Sequence, residues 1–380
     1  MIVIKITFLS CASNTYYQDN SYRDSKLFQE PQIEYHFDKM PNNINVIFFT
    51  SKLTKPEDSI IQGFLNNYYS NLKLYNPEIL FLRITEDQIK NQVCKKETSR
   101  ISYPVIIDLN KDNSELKKKC LREIIRDKGL LVSIYKDNEI SQNWIHQISF
   151  DKQKEEYDFL TYARSQQSND ILLIKNQDVK EDSYIEDSWK SLKGNIKRIS
   201  ILEESKTYEN LISESLSIDR SIDRKKILSY KTSLNLGFSP RRRSDVDSII
   251  INTNIDQAKS INPAIAYNFS EDLNIYYINT QEYNYQFNLN NRDLNGVTLF
   301  EYPINIINEE IISRNDIEKV MYATGFDIFE IYLLINNKST KRRFSYLGLS
   351  GQFKINSTLS IERKRPLLKI NQDRFKVITP

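Results

Sequence analysis

The chain has 380 residues, 39% hydrophobic and 27% charged, and its 53 basic and 50 acidic side chains leave a net charge of +3. That is enough chain to bury a substantial core, in about two or three domains, and its composition is that of a globular protein, not a disordered one. The near balance of charge excludes nucleic acid as the main partner. With only 8 glycines and two histidines, His36 and His146, it also argues against a phosphate cradle and a histidine-based metal site or triad.

The first eleven residues end in a lipobox-like Phe8-Leu9-Ser10-Cys11. Their apolar run is short and Lys5 interrupts it, so the segment reads either as the tail of a secretion signal or as a short strand. Residues 12–43 are polar, tyrosine-rich and without periodicity, the pattern of a flexible tether. A first strand spans Ile44 to Thr50. Pro56, Glu57 and Asp58 open a helix that carries Ile61, Phe64, Leu65, Tyr68 and Leu72 at helical spacing. A second strand follows over Glu78 to Arg83.

The alternation continues with a strand over Tyr103 to Leu109 and a helix opened by the capping pattern Asp112 to Glu115. On that helix Cys120 shares an apolar face with Leu116 and Ile124, whereas Lys117-Lys118-Lys119 reads as exposed charge. Strands are expected over Gly129 to Tyr135, Trp144 to Ser149, Ile171 to Lys175 and Ile196 to Leu202. Helices fall over Asp151 to Gln166 and Ser183 to Leu192, the latter ended by Gly194. Leu211 to Leu236 is a polar helical stretch containing the tandem Ser217-Ile-Asp-Arg220 and Ser221-Ile-Asp-Arg224, a solvated face. Strand Ser248 to Asn252, helix Asp256 to Asn268 and strand Leu273 to Ile278 then make a unit whose apolar runs are too continuous for a half-exposed sheet. A late helix carries Ile317, Met321, Thr324, Ile328, Ile331 and Ile335 on one face, and short strands near Ser357 to Ile361 and Phe375 to Ile378 close the chain.

Repeated strand–helix units imply parallel sheets with helices on both faces, and their number exceeds what one open sheet holds. No Ser-His-Asp order, Walker loop, G-x-G-x-x-G or CxxC pair is present, so no catalytic constellation, cofactor or metal site is expected. Asp245 and Asp247 alternate at a strand start, where turn chemistry outweighs acid–base work. Three adjacent arginines cannot all face one surface of a strand, which favours a solvated role for them over an anion grip. The pairs Tyr276-Tyr277 and Tyr283-Asn-Tyr285 suit an interface, and compositional bias explains them equally well.

Four signatures occur in order: Arg241-Arg242-Arg243 with Asp245-Val-Asp247, Asp293-Leu-Asn-Gly296-Val before Tyr302-Pro303, Thr324-Gly-Phe-Asp327, and Gly348-Leu-Ser-Gly351 with Ser357-Thr-Leu-Ser360. Together they resemble the LppC/LpoA family of outer-membrane lipoproteins, which activate class A penicillin-binding proteins. The resemblance implies a two-lobed α/β chain similar to type I periplasmic-binding proteins, with lobe 1 over 44–148 and 280–345 and lobe 2 over 149–279 and 346–380. It also implies lipidation at Cys11, anchoring on the periplasmic side of the outer membrane, and a non-enzymatic regulator whose partner is a class A peptidoglycan synthase, with peptidoglycan as a further contact. The helical, tetratricopeptide-like N-terminal domain of longer members has no counterpart in these residues. The loop after the first strand, Ser51 to Pro56, lacks the glycine with which solute receptors hold a ligand carboxylate. A periplasmic small-solute receptor is the alternative of a different class. An oxidising compartment would permit a Cys94–Cys120 disulfide.

Overall fold

The computed structural model describes residues 42–50, 52–72, 76–90, 103–109, 115–125, 129–133, 145–149, 152–176, 183–203, 205–234, 237–268, 270, 272–280, 292–306, 318–336, 344–355, 360–371 and 374–378. The chain divides into two compact units, Met1–Asp151 with Tyr302–Arg365, and Lys152–Glu301 with Pro366–Pro380.

In chain order, the first unit begins with β1 (Asn43–Phe49), α1 (Lys55–Asn71), β2 (Glu78–Ile84), α2 (Glu86–Lys90), β3 (Val105–Asp108), α3 (Glu115–Ile124), β4 (Gly129–Ser133) and β5 (Ile145–Ser149). The second contains α4 (Lys152–Ser165), β6 (Asp170–Lys175), α5 (Tyr184–Ser191), β7 (Asn195–Ile201), α6 (Tyr208–Ser215), α7 (Ile218–Thr232), β8 (Ser248–Thr253), α8 (Ile255–Tyr267), β9 (Asn274–Asn279) and β10 (Val297–Phe300). The chain returns to the first unit for α9 (Pro303–Ile306), α10 (Lys319–Asn336), β11 (Phe344–Leu347), β12 (Gln352–Ile355) and β13 (Ser360–Lys364). It ends in the second with β14 (Leu367–Asn371) and β15 (Arg374–Ile378).

The first sheet runs β11-β12-β13-β5-β4-β3-β1-β2 and the second β15-β14-β10-β9-β8-β6-β7. Both contain the same doubly wound core: parallel strands ordered second, first, third, fourth, fifth, with the order reversing between the first and third. Central strands β3, β4 and β8 are buried throughout because helices cover both faces, which is why they read as unbroken apolar runs. Ile47, Ile106 and Leu131 pack beneath Leu121 and Ile124 of α3 on one face of the first sheet. In the second, Ile249 and Ile251 meet Ile261 and Ile265 of α8, while Phe159 and Trp189 pack on the opposite face.

Several expectations are corrected. The units divide after Asp151, Glu301 and Arg365, where the sequence suggested 148, 279 and 345. β10 pairs with β9 and β14, which keeps it in the second unit, and β13 pairs with β5, which keeps the segment up to Arg365 in the first. Three strands unseen in the sequence, β11, β12 and β14, extend the sheets antiparallel at one edge. The polar stretch 211–236 is two helices, because Leu216 turns fully into the core and Ser217 takes a left-handed backbone at φ 58°. Leu116 is 42% exposed, and the buried face of α3 is Lys117, Cys120, Leu121 and Ile124. α1 buries Ile60, Gly63, Phe64 and Asn67, since small residues there let α10 approach closely.

That approach is a backbone contact. A Cβ on Gly325 of α10 would stand 2.0 Å from the Ile60 carbonyl oxygen, and one on Gly63 would stand 1.9 Å from that of Tyr322. Only glycine at both positions allows it. α10 is apolar around most of its circumference, as a helix buried on all sides must be. The ring of Phe329 meets that of Phe64 edge-on at 5.2 Å. Three residues on from Thr324, the buried Asp327 accepts hydrogen bonds from Leu349 N (2.8 Å), Ser350 N (2.6 Å), Ser350 Oγ (2.6 Å) and Tyr346 Oη (3.2 Å). A Cβ on Gly348 would strike this carboxylate at 2.3 Å. The Thr324–Asp327 and Gly348–Gly351 signatures are thus one physical feature, a turn held on a helix.

Candidate functional site

In doubly wound sheets, ligands bind beyond the carboxyl ends of the strands where the order reverses. In the first unit that point lies between β1 and β3. Asp108, the last residue of β3 and fully buried, pairs with Lys117 of α3, Nζ to Oδ1 2.6 Å. At the start of α1, the 7% exposed Glu57 accepts from the Thr54 amide at 3.0 Å and bonds the Thr54 hydroxyl. The protein's own carboxylate therefore occupies the anion position of this helix N-terminus.

The second unit repeats the device with the signs exchanged. Lys175, the last residue of β6, pairs with Glu186 of α5 at 2.9 Å, and its side chain is 3% exposed. Beside it, Asn254 caps α8, accepting from Gln257 N at 2.9 Å while Gln257 Oε1 accepts from Asn254 N at 3.3 Å. Tyr277 Oη donates to the Thr253 carbonyl at 3.2 Å, and burial, reinforced by Glu301, pushes its phenol far above the ordinary range. Among the described residues, both reversal points thus carry paired charge and capped helices.

Structural comparison places these features. Full-length LpoA from Haemophilus influenzae superposes over 90% of this chain and 59% of its own, with a TM-score of 0.54 at 11% identity. The LpoA (YraM) C-domain from the same organism, described as a regulator of PBP1A, covers 89% of this chain and 100% of its own at 0.52 and 11% identity. A candidate branched-chain amino acid ABC transporter protein from Rhodospirillum rubrum covers 88% and 99%, at 0.57 and 11% identity. The fold is periplasmic-binding-protein-like. It is shared by the LpoA C-domain, and the chain spans about three fifths of full-length LpoA. No family model and no curated protein sequence matches it.

The residues that carry the sequence resemblance in the second unit sit away from the reversal points. Arg241, Arg242, Arg243, Asp245 and Asp247 gather where the chain leads into β8, at the amino end of the second sheet. Arg242 pairs with Asp272 at 2.7 Å and donates to the carbonyls of Val246 and Arg243. Arg243 forks onto Asp245 with two 2.6 Å bonds, holding that carboxyl down at about 2. Asp247 accepts from the amides of Asn169 (2.8 Å) and Asp170 (3.1 Å), fixing the start of β6, and it also bonds Ser248. The two aspartates do separate turn work and form no carboxylate pair.

The expectation that three adjacent arginines cannot share a surface is corrected. The segment is a loop, not a strand, and all three line one groove of about 660 Å³ with Arg220, Arg224 and Ile227 of α7. A second groove, of about 850 Å³, lies on the far side of Arg241 and Arg242 and is lined by Asp272 and Leu273. Asp293 and Gly296 make the turn into β10 on the same amino rim. Asn262 Nδ2 donates to the carbonyls of Asp293 (2.8 Å) and Asn295 (3.0 Å), and Gly296 has φ +81°.

Other candidates resolve plainly. Lys117 is buried, not exposed, because its position three and four residues before Cys120 and Leu121 puts it on the core face. Tyr276 and Tyr277 are buried sheet residues and offer no interface. Cys120 is disulfide-bonded. Cys11, Cys94, Tyr283, Tyr285, the expected tether up to residue 41 and Lys341–Arg343 lie outside the described residues, and Asn43, given to the tether from the sequence, begins β1. Among the described residues no group of three or more His, Cys, Asp or Glu could hold a metal ion, and no helix is long and apolar enough to cross a membrane. The Lys117 and Lys175 pairs went unnoticed in the sequence; a lone lysine closing an apolar run, as in Ile171-Leu-Leu-Ile-Lys175, was the available signal.

Proposed function

We propose that this chain is a non-enzymatic regulator, lipid-anchored at Cys11 on the periplasmic face of the outer membrane, that docks on a class A penicillin-binding protein and stimulates peptidoglycan synthesis. The observation that carries the proposal is the pair of self-occupied reversal points. Asp108–Lys117 and Lys175–Glu186 stand at the strand ends where a doubly wound receptor gathers the groups that meet its ligand, and both are spent on each other. A ligand carboxylate or ammonium there would have to displace a buried partner. The fold shared with the LpoA C-domain and the ordered signatures support the same function. Stimulation would follow from contact energy that differs between the resting and active synthase. The test is binding to a purified class A synthase together with its glycan-polymerising rate; absence of both binding and stimulation overturns the proposal.

The likeness to the Rhodospirillum rubrum protein favours a second function, a small-solute receptor. A thermal-shift screen of amino acids and sugars separates the two. A saturating ligand at 100 times its Kd raises stability by about 2.7 kcal/mol, a clear shift.

A further inference from the structure

The groove between α7 and the segment 240–245 holds charge that the fold leaves uncompensated. Five arginines line it against two carboxylates. Both carboxylates are already engaged, Asp223 by Lys226 at 3.1 Å and Asp245 by Arg243. Arg242 is engaged by Asp272. The guanidiniums of Arg220, Arg224 and Arg241 have no carboxylate partner among the described residues, and all three side chains are exposed. Arg220, Arg224 and Ile227 follow at helical spacing and so form one stripe facing Arg241 across the groove.

The same helix exposes apolar side chains that a monomeric surface has no use for. Ile227 is 54% exposed, Leu228 52%, and Tyr230 88%; Leu234 and Phe238, just beyond the helix, are exposed too. Only Ile218 and Ser221 of α7 are buried. A concave cationic floor with an apolar shoulder fits an occupant that brings carboxylates to the guanidiniums and an apolar side chain to Ile227 and Leu228. Arginine favours carboxylates for their matching planar fork.

We propose that this groove binds an acidic segment of a protein partner that also carries apolar residues. Assigning the segment to the synthase rests on the function proposed above; the groove's specificity for acidic peptide does not. A flat anionic bilayer fits less well, because the arginines lie in a concavity shared with Asp223 and Asp245.

The experiment uses the full chain and three probes: a fluorescein-labelled peptide alternating Glu with Leu and Phe beside its Gln counterpart, phosphatidylglycerol vesicles, and a class A synthase. The parent should bind the Glu peptide at least about tenfold more tightly than the Gln peptide at low salt and lose affinity as screening rises. Arg220→Glu/Arg224→Glu/Arg241→Glu should abolish that binding, and the corresponding Gln triple should weaken it about tenfold. Lys190→Glu/Lys193→Glu/Lys354→Glu, the same charge change elsewhere, should leave it intact. No preference for the Glu peptide, or vesicle binding stronger than peptide binding through the same arginines, overturns the groove. Undiminished synthase binding by the Glu triple overturns the assignment of the segment to the synthase and leaves the regulator function standing. Peptide binding without synthase binding leaves the groove standing and overturns the regulator function.

Discussion

Replacing Gly325 with alanine probes the contact on which the first unit is assembled. The added Cβ would lie 2.0 Å from the Ile60 carbonyl oxygen, 2.7 Å from its carbon and 2.9 Å from its Cα. Ordinary contact needs about 3.5 Å, so α1 and α10 must separate by roughly 1.5 Å or bend. The obstacle is backbone inside a helix and cannot rotate away. Asn67 Nδ2 to Phe326 O (2.8 Å) and Asn66 Nδ2 to Tyr322 Oη (2.6 Å) would stretch with it. Overpacking costs about 1–3 kcal/mol and more where relaxation is blocked, while alanine returns about 1 kcal/mol of helix propensity. With relaxation blocked, the upper end of that range less the propensity gain is a net loss of about 2 kcal/mol or more, and Gly63→Ala should match it. Because two units need not unfold together, the readout is peptide-level hydrogen exchange over α1 and α10 alongside urea midpoints. Gly237→Ala, where an added Cβ meets nothing within 4 Å, is the control and should be neutral. A Gly325→Ala protein as stable as its parent, with unchanged exchange in both helices, would refute the backbone contact.

Burial pushes the Asp327 carboxyl up to about 7 against its four donors. The native state therefore keeps a proton that the unfolded chain releases, so this residue's contribution is full below about pH 4 and is lost as pH rises to about 7, by up to roughly 4 kcal/mol. Parent and Asp327→Asn should converge between pH 5 and 8 in urea melts; parallel pH profiles would contradict this. Gly296 has φ +81° with open space around its Cα, so alanine there should cost about 1–2 kcal/mol through backbone strain alone, and asparagine less. Equal melting of the Gly296→Ala and Gly296→Asn variants would count against it. Lys117→Met should cost about 3–5 kcal/mol by leaving the buried Asp108 carboxylate without its ammonium, and Asp108→Asn added to it should recover part of that loss. Thermal melts of the single and double variants decide it.

What the sequence reveals follows from how local each cause is. The runs Ser248-Ile-Ile-Ile-Asn252 and Ile171-Leu-Leu-Ile-Lys175 announce central parallel strands because burial on both faces needs no partner's identity. Lys117 was legible in principle: its spacing from Cys120 and Ile124 puts it on the buried face, but the neighbouring lysines gave it the look of surface charge. β11, β12 and β14 are only four, four and five residues long; β11 and β12 sit in local hairpins too brief to display an alternation, and β14 is defined by antiparallel pairing to β10, remote in the chain, which no window of sequence carries. Gly63 and Gly325 belong to distant helices, and neither glycine names the other. The unit boundaries failed for the same reason, since β10 and β13 are assigned by the strands they pair with.

The positions of the signatures bear on function more than their identities do. Every residue of the two most specific ones, from Arg241 to Asp247 and from Asp293 to Gly296, lies at the amino ends of β8 and β10, while at the carboxyl ends the described Asp108–Lys117 and Lys175–Glu186 charges are paired internally. A receptor concentrates its distinctive chemistry at the carboxyl ends, where a solute would sit. Here the distinctive chemistry was moved to the opposite rim, and part of it is plainly structural: Asp247 pins the start of β6 and Gly296 makes a turn. The arginines are different. Their backbone fixes the loop, as when Arg241 N donates to Ser221 Oγ at 3.1 Å and Arg243 N to the Leu216 carbonyl at 2.9 Å, so the guanidinium of Arg241 is displayed by a frame that does not need it. A side chain held in place by its own backbone and left without a counter-charge among the described residues is available for contact with another molecule, at the end of the sheet opposite the one where a doubly wound fold binds its solute.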